Sequence, residues 1–399
     1  SGQPLVIVDD MVLNNGLESL NINDINTVTY YRDASDVAIF GEQAANGVLV
    51  IKTKQGSKDF RVNYSGKIGL SSLTKKLDLL SAGEFRALVN ERYEGNNTVT
   101  GLIGGYNTDW QDEIYRTAFG QDHHLSVSGS LGGKIPVRIS IGETDFDGIL
   151  KTSSYNRTTT YLSADPSFFK DHLKLSINLN GIFNNNRIAN ENAIFNSVFF
   201  DPTQPVYDQS SEYGGYFTYT DFMGAPVYTA PSNPVAMLNL TNERQTVNRF
   251  VGNIKLDYRL HLLPDLRIVG IYGRDNFRMI DTTTIDQQGS WTYNYGGGFS
   301  RRNKGTINGT ELAFYTNYSK EFETIPGKID IILGYSSLKR SYTNSSFETN
   351  LGSPVIVISN TNWDDETNQT SLFGRLKYSI YDRYDFTLTL RRDGNSKYS

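Results

Sequence analysis

The 399 residues carry 38 Lys and Arg against 43 Asp and Glu, a formal charge of −5, which excludes a general nucleic-acid binder. Only 38% of residues are hydrophobic, 12% are aromatic, and no run nears the eighteen or so apolar residues that a membrane helix requires, so helical membrane proteins drop out while a β-barrel of alternating strands does not. Cys is absent and His occurs four times, which removes disulfide frameworks, thiolate metal sites and cysteine nucleophiles.

Residues 1–56 hold two apolar β runs, Leu5-Val6-Ile7-Val8 and Val48-Leu49-Val50-Ile51, around a polar stretch with little amphipathic period, the pattern of a small α+β domain. The opening Ser1-Gly2-Gln3-Pro4 has neither a charged n-region nor an apolar h-region. From about residue 60 the dominant period is two. Leu173, Leu175, Ile177 and Leu179 alternate with Lys174, Ser176, Asn178 and Asn180, and the pattern recurs at Phe250–Leu260 and Leu372–Ile380. One sheet face is therefore dry and the other wet.

Tight turns are expected at Leu131–Lys134, Asp165–Asp171, Leu263–Asp265, Ile325–Gly327 and Tyr381–Arg383, and they alternate with long irregular stretches near 71–120, 147–154, 186–246, 277–308 and 341–367. Short and long connections in strict alternation predict an up-and-down meander with unlike ends, as in outer-membrane barrels. About eleven strands are expected. The chain stops inside an alternating strand, Tyr384 to Leu390, which reads as an internal fragment. Within the first long stretch, Ser81 as N-cap and Glu84 three residues on, followed by Leu88 and Tyr93, predict a short helix over 81–93.

Candidate chemistry is sparse. His123 and His124 are adjacent in a strand and point to opposite faces, so they cannot chelate one ion. Asp145-Phe146-Asp147-Gly148 reads as a hairpin turn, Asp364-Asp365-Glu366 as a solvated acidic surface, and Gly296-Gly297-Gly298 as loop. No catalytic residues, cofactor or metal are expected. The aromatics say more: Tyr213, Tyr216, Tyr219 and Phe222 crowd one predicted loop, Trp291, Tyr293 and Tyr295 the next, and Trp363 a third. Flat faces among Asn and Asp suit a sugar or peptide ligand, or a protein lid. The strand aromatics Tyr258, Tyr272, Tyr318, Tyr335 and Tyr378 read as a membrane-interface girdle.

Five linked motifs in the first segment carry a resemblance: Pro4-Leu5-Val6-Ile7-Val8-Asp9, Leu20 to Ile25, Arg32-Asp33-Ala34-Ser35, Ala38-Ile39-Phe40-Gly41, and Ala44-Ala45-Asn46-Gly47-Val48 through Lys54. They are similar to the plug of TonB-dependent outer-membrane transporters of the SusC/RagA branch. Trp110–Ala118, His124–Gly129, Asp147–Lys151 and Phe373–Gly394 extend the resemblance along the whole chain. It implies an all-β transmembrane antiparallel barrel, here about eleven strands of roughly twenty-two, with the back of an α+β plug over 1–56 and the first half of the barrel over 57–399. A signal peptide, a TonB box and the closing strands would lie outside the sequence. The implied function is TonB-dependent import of an oligosaccharide or peptide across the outer membrane of a Gram-negative bacterium, with TonB, a SusD-like surface lipoprotein lid and outer-membrane lipid as partners. Gating falls by resemblance to Asp24, Arg32, Asp33, Ser35, Gly41, Asn46 and Gly47. Two departures stand out: Gln43 replaces a family Arg and cannot form an ion pair with the wall, and Asp9-Asp10 replaces Asp-Gly at a turn that Gly would ease. The alternative is an outer-membrane adhesin or surface receptor whose barrel only anchors it.

Overall fold

The computed structural model describes residues 3–13, 20–32, 38–322, 327–352, 354–381 and 383–397. Two sheets organise them. The smaller contains β1 (Leu5–Val8), β2 (Met11–Val12), β3 (Ile25–Tyr31) and β4 (Val48–Thr53) in the order β2-β1-β4-β3, with β1 and β4 parallel. The β1–β2 turn is Asp9-Asp10, with φ of 47° and 73°. A two-residue hairpin demands that left-handed geometry, and Asp is among the few non-glycine residues that adopt it readily. Asp thus does make the turn where the family has Gly.

The larger sheet is a continuous antiparallel meander of β5 (Arg61–Ser71), β6 (Ala118–Leu131), β7 (Ile135–Asp147), β8 (Ser154–Ala164), β10 (Leu173–Ile188), β11 (Thr241–Arg259), β12 (Leu266–Ile285), β13 (Phe299–Phe322), β14 (Gly327–Asn350), β15 (Val357–Ile380) and β16 (Tyr384–Asn395), with the two-residue β9 (Ser167–Phe168) pairing beside β10. These are the eleven expected strands. The turns at 131–134, 165–171 and 263–265 fall where the sequence puts them; those at 325–327 and 381–383 lie partly outside the described residues.

The faces are sorted the wrong way round for water. Leu125, Val127, Ile139, Ile141, Ile254, Leu256, Phe314 and Leu372 stand bare on the convex face, while Ser126, Ser128, Arg138, Ser140, Asn178, Asn180 and Asn253 are buried on the inner one. A soluble sheet covers its apolar face; this wall leaves it for lipid and covers the polar face with the small sheet. The five strand tyrosines all share the outward face by alternation. Tyr258, Tyr318 and Tyr378 gather near the short turns, as a girdle requires, whereas Tyr272 and Tyr335 sit farther along.

Two loop boundaries move. The expected irregular stretches 277–308 and 341–367 shrink to 286–298 and 351–356, because β13, β14 and β15 each run 24 residues, against about 9–11 for a membrane crossing. Past the lipid belt both faces meet water, so the hydrophobic alternation fades while the backbone ladder continues. Ser341-Tyr342-Thr343-Asn344-Ser345-Ser346 pairs residue for residue with 361–366 on β15.

Candidate functional site

The inner face of the wall is where side chains converge, and Asp24 is the clearest case. It ends the 3-10 turn Ile22–Asp24, which Asn21 caps by accepting from the Asn23 N–H at 2.9 Å. The turn aims the carboxylate into the wall. There Arg138 donates to it at 2.8 Å, Ser140 Oγ lies 2.8 and 2.7 Å from its two oxygens, and His124 Nε2 stands 3.2 Å away. All four groups are buried, so the charge is both paired and hydrogen-bonded, as a buried carboxylate must be. Asn21 Nδ2 donates to Thr159 at 2.9 Å and Arg157 to the Leu20 carbonyl at 3.0 Å, extending this seat across β8. The two histidines do point opposite ways: His123 meets the Tyr64 hydroxyl outside, His124 meets Asp24 inside. They stand in the middle of β6.

A second seat surrounds the Asp9-Asp10 turn. Asp10 is shared by Lys52 of the small sheet and, at 2.6 Å, Lys255 of β11. Burial works against its charge, but the two lysines outweigh that and hold its carboxyl below the ordinary value. Asp9 turns inward, with Thr53 N–H on Oδ1 at 3.0 Å and Thr53 Oγ1 2.6 Å from Oδ2. Thr53 Oγ1 in turn lies 2.6 Å from the Tyr161 hydroxyl on the wall, and Glu311 of β13 accepts from Val12 N–H at 2.8 Å.

The remaining motif residues are spread along the seam. Gly41, at φ 70°, presses against β16; a Cβ there would sit 2.6 Å from Arg391 Nε. Gly47, at φ 90°, lies under the Tyr30 ring, whose hydroxyl donates to the Asn46 carbonyl at 3.0 Å. Arg32 is exposed, and Asp33 and Ser35 lie outside the described residues. Gln43 does reach the wall, where its amide donates to Gln369 Oε1: the link missing as an ion pair is made as a neutral hydrogen bond.

At the long-loop end the chemistry changes. The helix Trp110–Ile114, capped by Asp109, packs with the helices Asn192–Phe199 and Pro234–Leu240. Trp110, Ile114, Leu150, Ala193, Phe200 and Leu238 form one apolar core, tied by Trp110 Nε1 donating to the Asp201 carbonyl at 2.9 Å. The N-terminal turn's N–H groups and Lys76 outweigh partial burial and hold the Asp109 carboxyl below its ordinary value. The predicted helix over 81–93 is present as Ala82–Arg92 with the full Ser81–Glu84 capping box.

The loop aromatics divide. Tyr216 is buried in the core, and Tyr219 and Trp291 pack against it. Burial, with Asp201 nearby, pushes the Tyr219 hydroxyl up. Phe222, Tyr293 and Tyr295 stay exposed, and Tyr213 is half-buried, edge-on to Tyr293 with its hydroxyl on the Gly224 carbonyl. Trp363 is not in a loop. It stands exposed in β15, on the face of Gln369 and Ser371, because that strand runs past the belt. Gly296, Gly297 and Gly298 form a left-handed turn closing the Ser290–Tyr295 helical turn. Residues 364–366 lie in β15 and not in a loop. Among the described residues, no cluster of three or more His, Asp and Glu could hold a metal.

No family model matches the chain. Over 441 aligned positions it is 34% identical to the TonB-dependent receptor SusC of Bacteroides thetaiotaomicron, covering 100% of this chain and 42% of that one. The RagAB peptide importer in its closed-closed state superposes with a TM-score of 0.76 at 16% identity, over 98% of this chain and 49% of that structure. The chain resembles TonB-dependent receptors of the SusC/RagA type along its whole length. TonB-dependent receptor P3 of Formosa agariphila is 27% identical over 100% of this chain and 40% of its own length. The chain thus spans less than half of each of these relatives. The likeness to these barrel transporters takes in the wall and the small sheet together, over 98–99% of this chain.

What the sequence did not reveal is the wall side of the seam. Arg138, Ser140, Tyr161, Asn178 and Asn253 carry no motif, and the stretch His124–Gly129 gives no sign that His124 faces Asp24. Their only signal was position: each lies on the wet face of a strand, and Arg138 and His124 are bulky or charged among small polar neighbours.

Proposed function

We propose that this chain supplies the back of the plug, over residues 1–56, and part of the barrel wall, over 57–399, of a TonB-dependent importer of oligosaccharides or peptides that works under a surface lipoprotein lid. The supporting observation is the inverted wall, apolar outside and polar inside, with its polar face closed by a small domain seated through hydrogen bonds and ion pairs and not through a large apolar interface. Such bonds are directional and are lost over a short displacement, so a pull on the plug breaks them in turn without unfolding the wall. In this reading Asp24 anchors the seat, Arg32, Asp33 and Ser35 take part in gating by resemblance, and Gly41, Asn46 and Gly47 fit the plug to the wall. Tyr213, Phe222, Tyr293 and Tyr295 offer their rings to substrate or lid at the mouth, Tyr216, Tyr219 and Trp291 stiffen the platform beneath them, and Trp363 faces the lumen.

The test is uptake of labelled oligosaccharides and labelled peptides by cells carrying the whole receptor, with and without functional TonB and with and without the lid protein. One ligand class should enter only when TonB works. Entry that persists unchanged without TonB sinks the proposal, and ligand held at the surface but never imported would make the protein a surface receptor.

A further inference from the structure

Five buried side chains close a ring across the seam, and its direction can be worked out. Asp9 of the plug presents its backbone carbonyl to the wall, and a carbonyl only accepts. Asn253 Nδ2 therefore donates to it, which turns Asn253 Oδ1 toward Asn178 Nδ2 at 3.0 Å. Asn178 Oδ1 then faces the Tyr161 hydroxyl at 3.2 Å, and Tyr161 must spend its one proton there. Thr53 Oγ1, 2.6 Å from the Tyr161 oxygen, has to donate to it and so spends its own proton as well. Yet Thr53 Oγ1 also lies 2.6 Å from Asp9 Oδ2. Three contacts between oxygens need three protons, and the two hydroxyls supply two. None of the five residues is more than 6% exposed, and the 2.6 Å separations of Thr53 Oγ1 from Tyr161 and from Asp9 leave no room for a water between them.

We propose that Asp9 is protonated while the plug is seated, donating from its carboxyl to Thr53, so that seating the plug takes up one proton and unseating it returns that proton to water. The other carboxyl oxygen keeps the Thr53 N–H. Were Asp9 ionised, Thr53 would donate to the carboxylate, and either the Thr53–Tyr161 or the Tyr161–Asn178 contact would face oxygen to oxygen with nothing between. The surrounding charge does not force ionisation. Asp10 and Lys52 of the plug, with Asp165, Lys174, Lys255 and Asp257 of the wall, share with Asp9 the lining of a cavity of about 280 Å³, three of each sign besides Asp9 itself. Asp10 holds both Lys52 and Lys255, leaving each lysine a nearer carboxylate than Asp9. Burial outweighs the Thr53 hydrogen bonds and the pull of Lys52, which places the Asp9 carboxyl above its ordinary value.

A carboxyl whose seated pKa lies above its solvated value of about 3.9 gives stabilisation that is complete below that value and lost as pH rises through the seated one. Between those two values each pH unit weakens seating by up to about tenfold, and above the seated value no further loss occurs. The inference uses the functional reading only in taking the N-terminal unit as the part that moves.

Asp9→Asn tests it in the whole receptor in detergent, because an amide mimics the protonated acid: Oδ1 accepts the Thr53 N–H and Nδ2 donates to Thr53. Infrared difference spectra should show, at neutral pH, the carbonyl band of a protonated carboxyl that D9N abolishes. Tyr161→Phe, which frees the Thr53 proton for the carboxylate, should weaken the same band. Hydrogen exchange of β4 amides in wild type and D9N, compared at each pH from about 4 to about 9, should match at the acid end and diverge above it up to the seated pKa, wild type exchanging up to about tenfold faster per unit. Absence of the band overturns the proton, and equal exchange throughout overturns its coupling to seating. Neither readout uses transport, so a receptor that imports nothing still reports on Asp9.

Discussion

Where the plug meets the wall, the polar contacts include Asp24 to Arg138, Asp10 to Lys255, Asn21 to Thr159 and Gln43 to Gln369, each with its partner on the other element, while Val251 of β11 joins the plug's apolar cluster of Val8, Met11 and Ile51. At the long-loop end, the contacts are Trp110 against Phe200, Ile114 and Leu150 in the same cluster, and Val235 to Leu238 behind them. One region is held by bonds that a displacement of an ångström or two abolishes. The other is packed like the interior of a small domain and loses energy only as area is exposed. The difference separates a part held mainly by directional polar bonds from a platform held by buried apolar area.

The sharpest way to break that comparison is at Asp24. Asp24→Ala leaves Arg138 buried without its counter-charge, a change that costs about 3–5 kcal/mol. Amides of β3 and β4 should lose protection in exchange measurements on the whole receptor while those of Trp110–Ile114 keep theirs. Loosening of both regions together would show that seam and platform are one unit.

The converse change is Ile114→Ala, at a fully buried position of the loop core. A truncation of this kind costs about 2–5 kcal/mol, depending on how far the site collapses. Limited proteolysis should then cut within 189–240 faster, with plug protection unaltered; a plug that becomes labile as well would contradict the separation. Gln43→Ala sharpens the seam from its weak side. It removes one neutral hydrogen bond at the edge near β16 and should cost about 1 kcal/mol, well below Asp24→Ala, in the same exchange measurement.

These residues also show what could be read beforehand. Leu173–Asn180 gave both sheet faces because its alternation is unbroken, and lipid on one side and the plug on the other keep it so. The upper halves of β14 and β15 were hidden for the same reason in reverse: at Ser341–Ser346 water lies on both sides, and no hydrophobic period survives to mark a strand. Asp24 was legible from its motif, but Arg138 is 114 positions away on a wall that the motif does not describe. Tyr216 and Phe222 looked alike as loop aromatics; only the packing of three short helices puts one inside and leaves the other bare.

The smallest expected effect lies at the edge of the platform, where the capping box was read directly from Ser81 and Glu84. Ser81 Oγ accepts from the Glu84 N–H at 3.3 Å, while Glu84 Oε2 receives the Ser81 N–H at 2.9 Å and its hydroxyl at 2.7 Å. Those Ser81 donors hold the Glu84 carboxyl below its ordinary value of 4.5, so the unfolded helix binds that proton more readily than the folded one. The stabilisation is therefore complete above 4.5 and fades as pH falls through the folded value. Ser81→Ala should cost about 0.5–1 kcal/mol, at the low end for an exposed cap, and should flatten that pH dependence in the exchange of the first-turn amides. The helix packs on the outside of the loop core and not within it, so neither the mutation nor acid should reach Ile114. A change at Ile114 would mean that the platform's edge carries part of its stability, and the contrast with the seam would have to be drawn from the core inward.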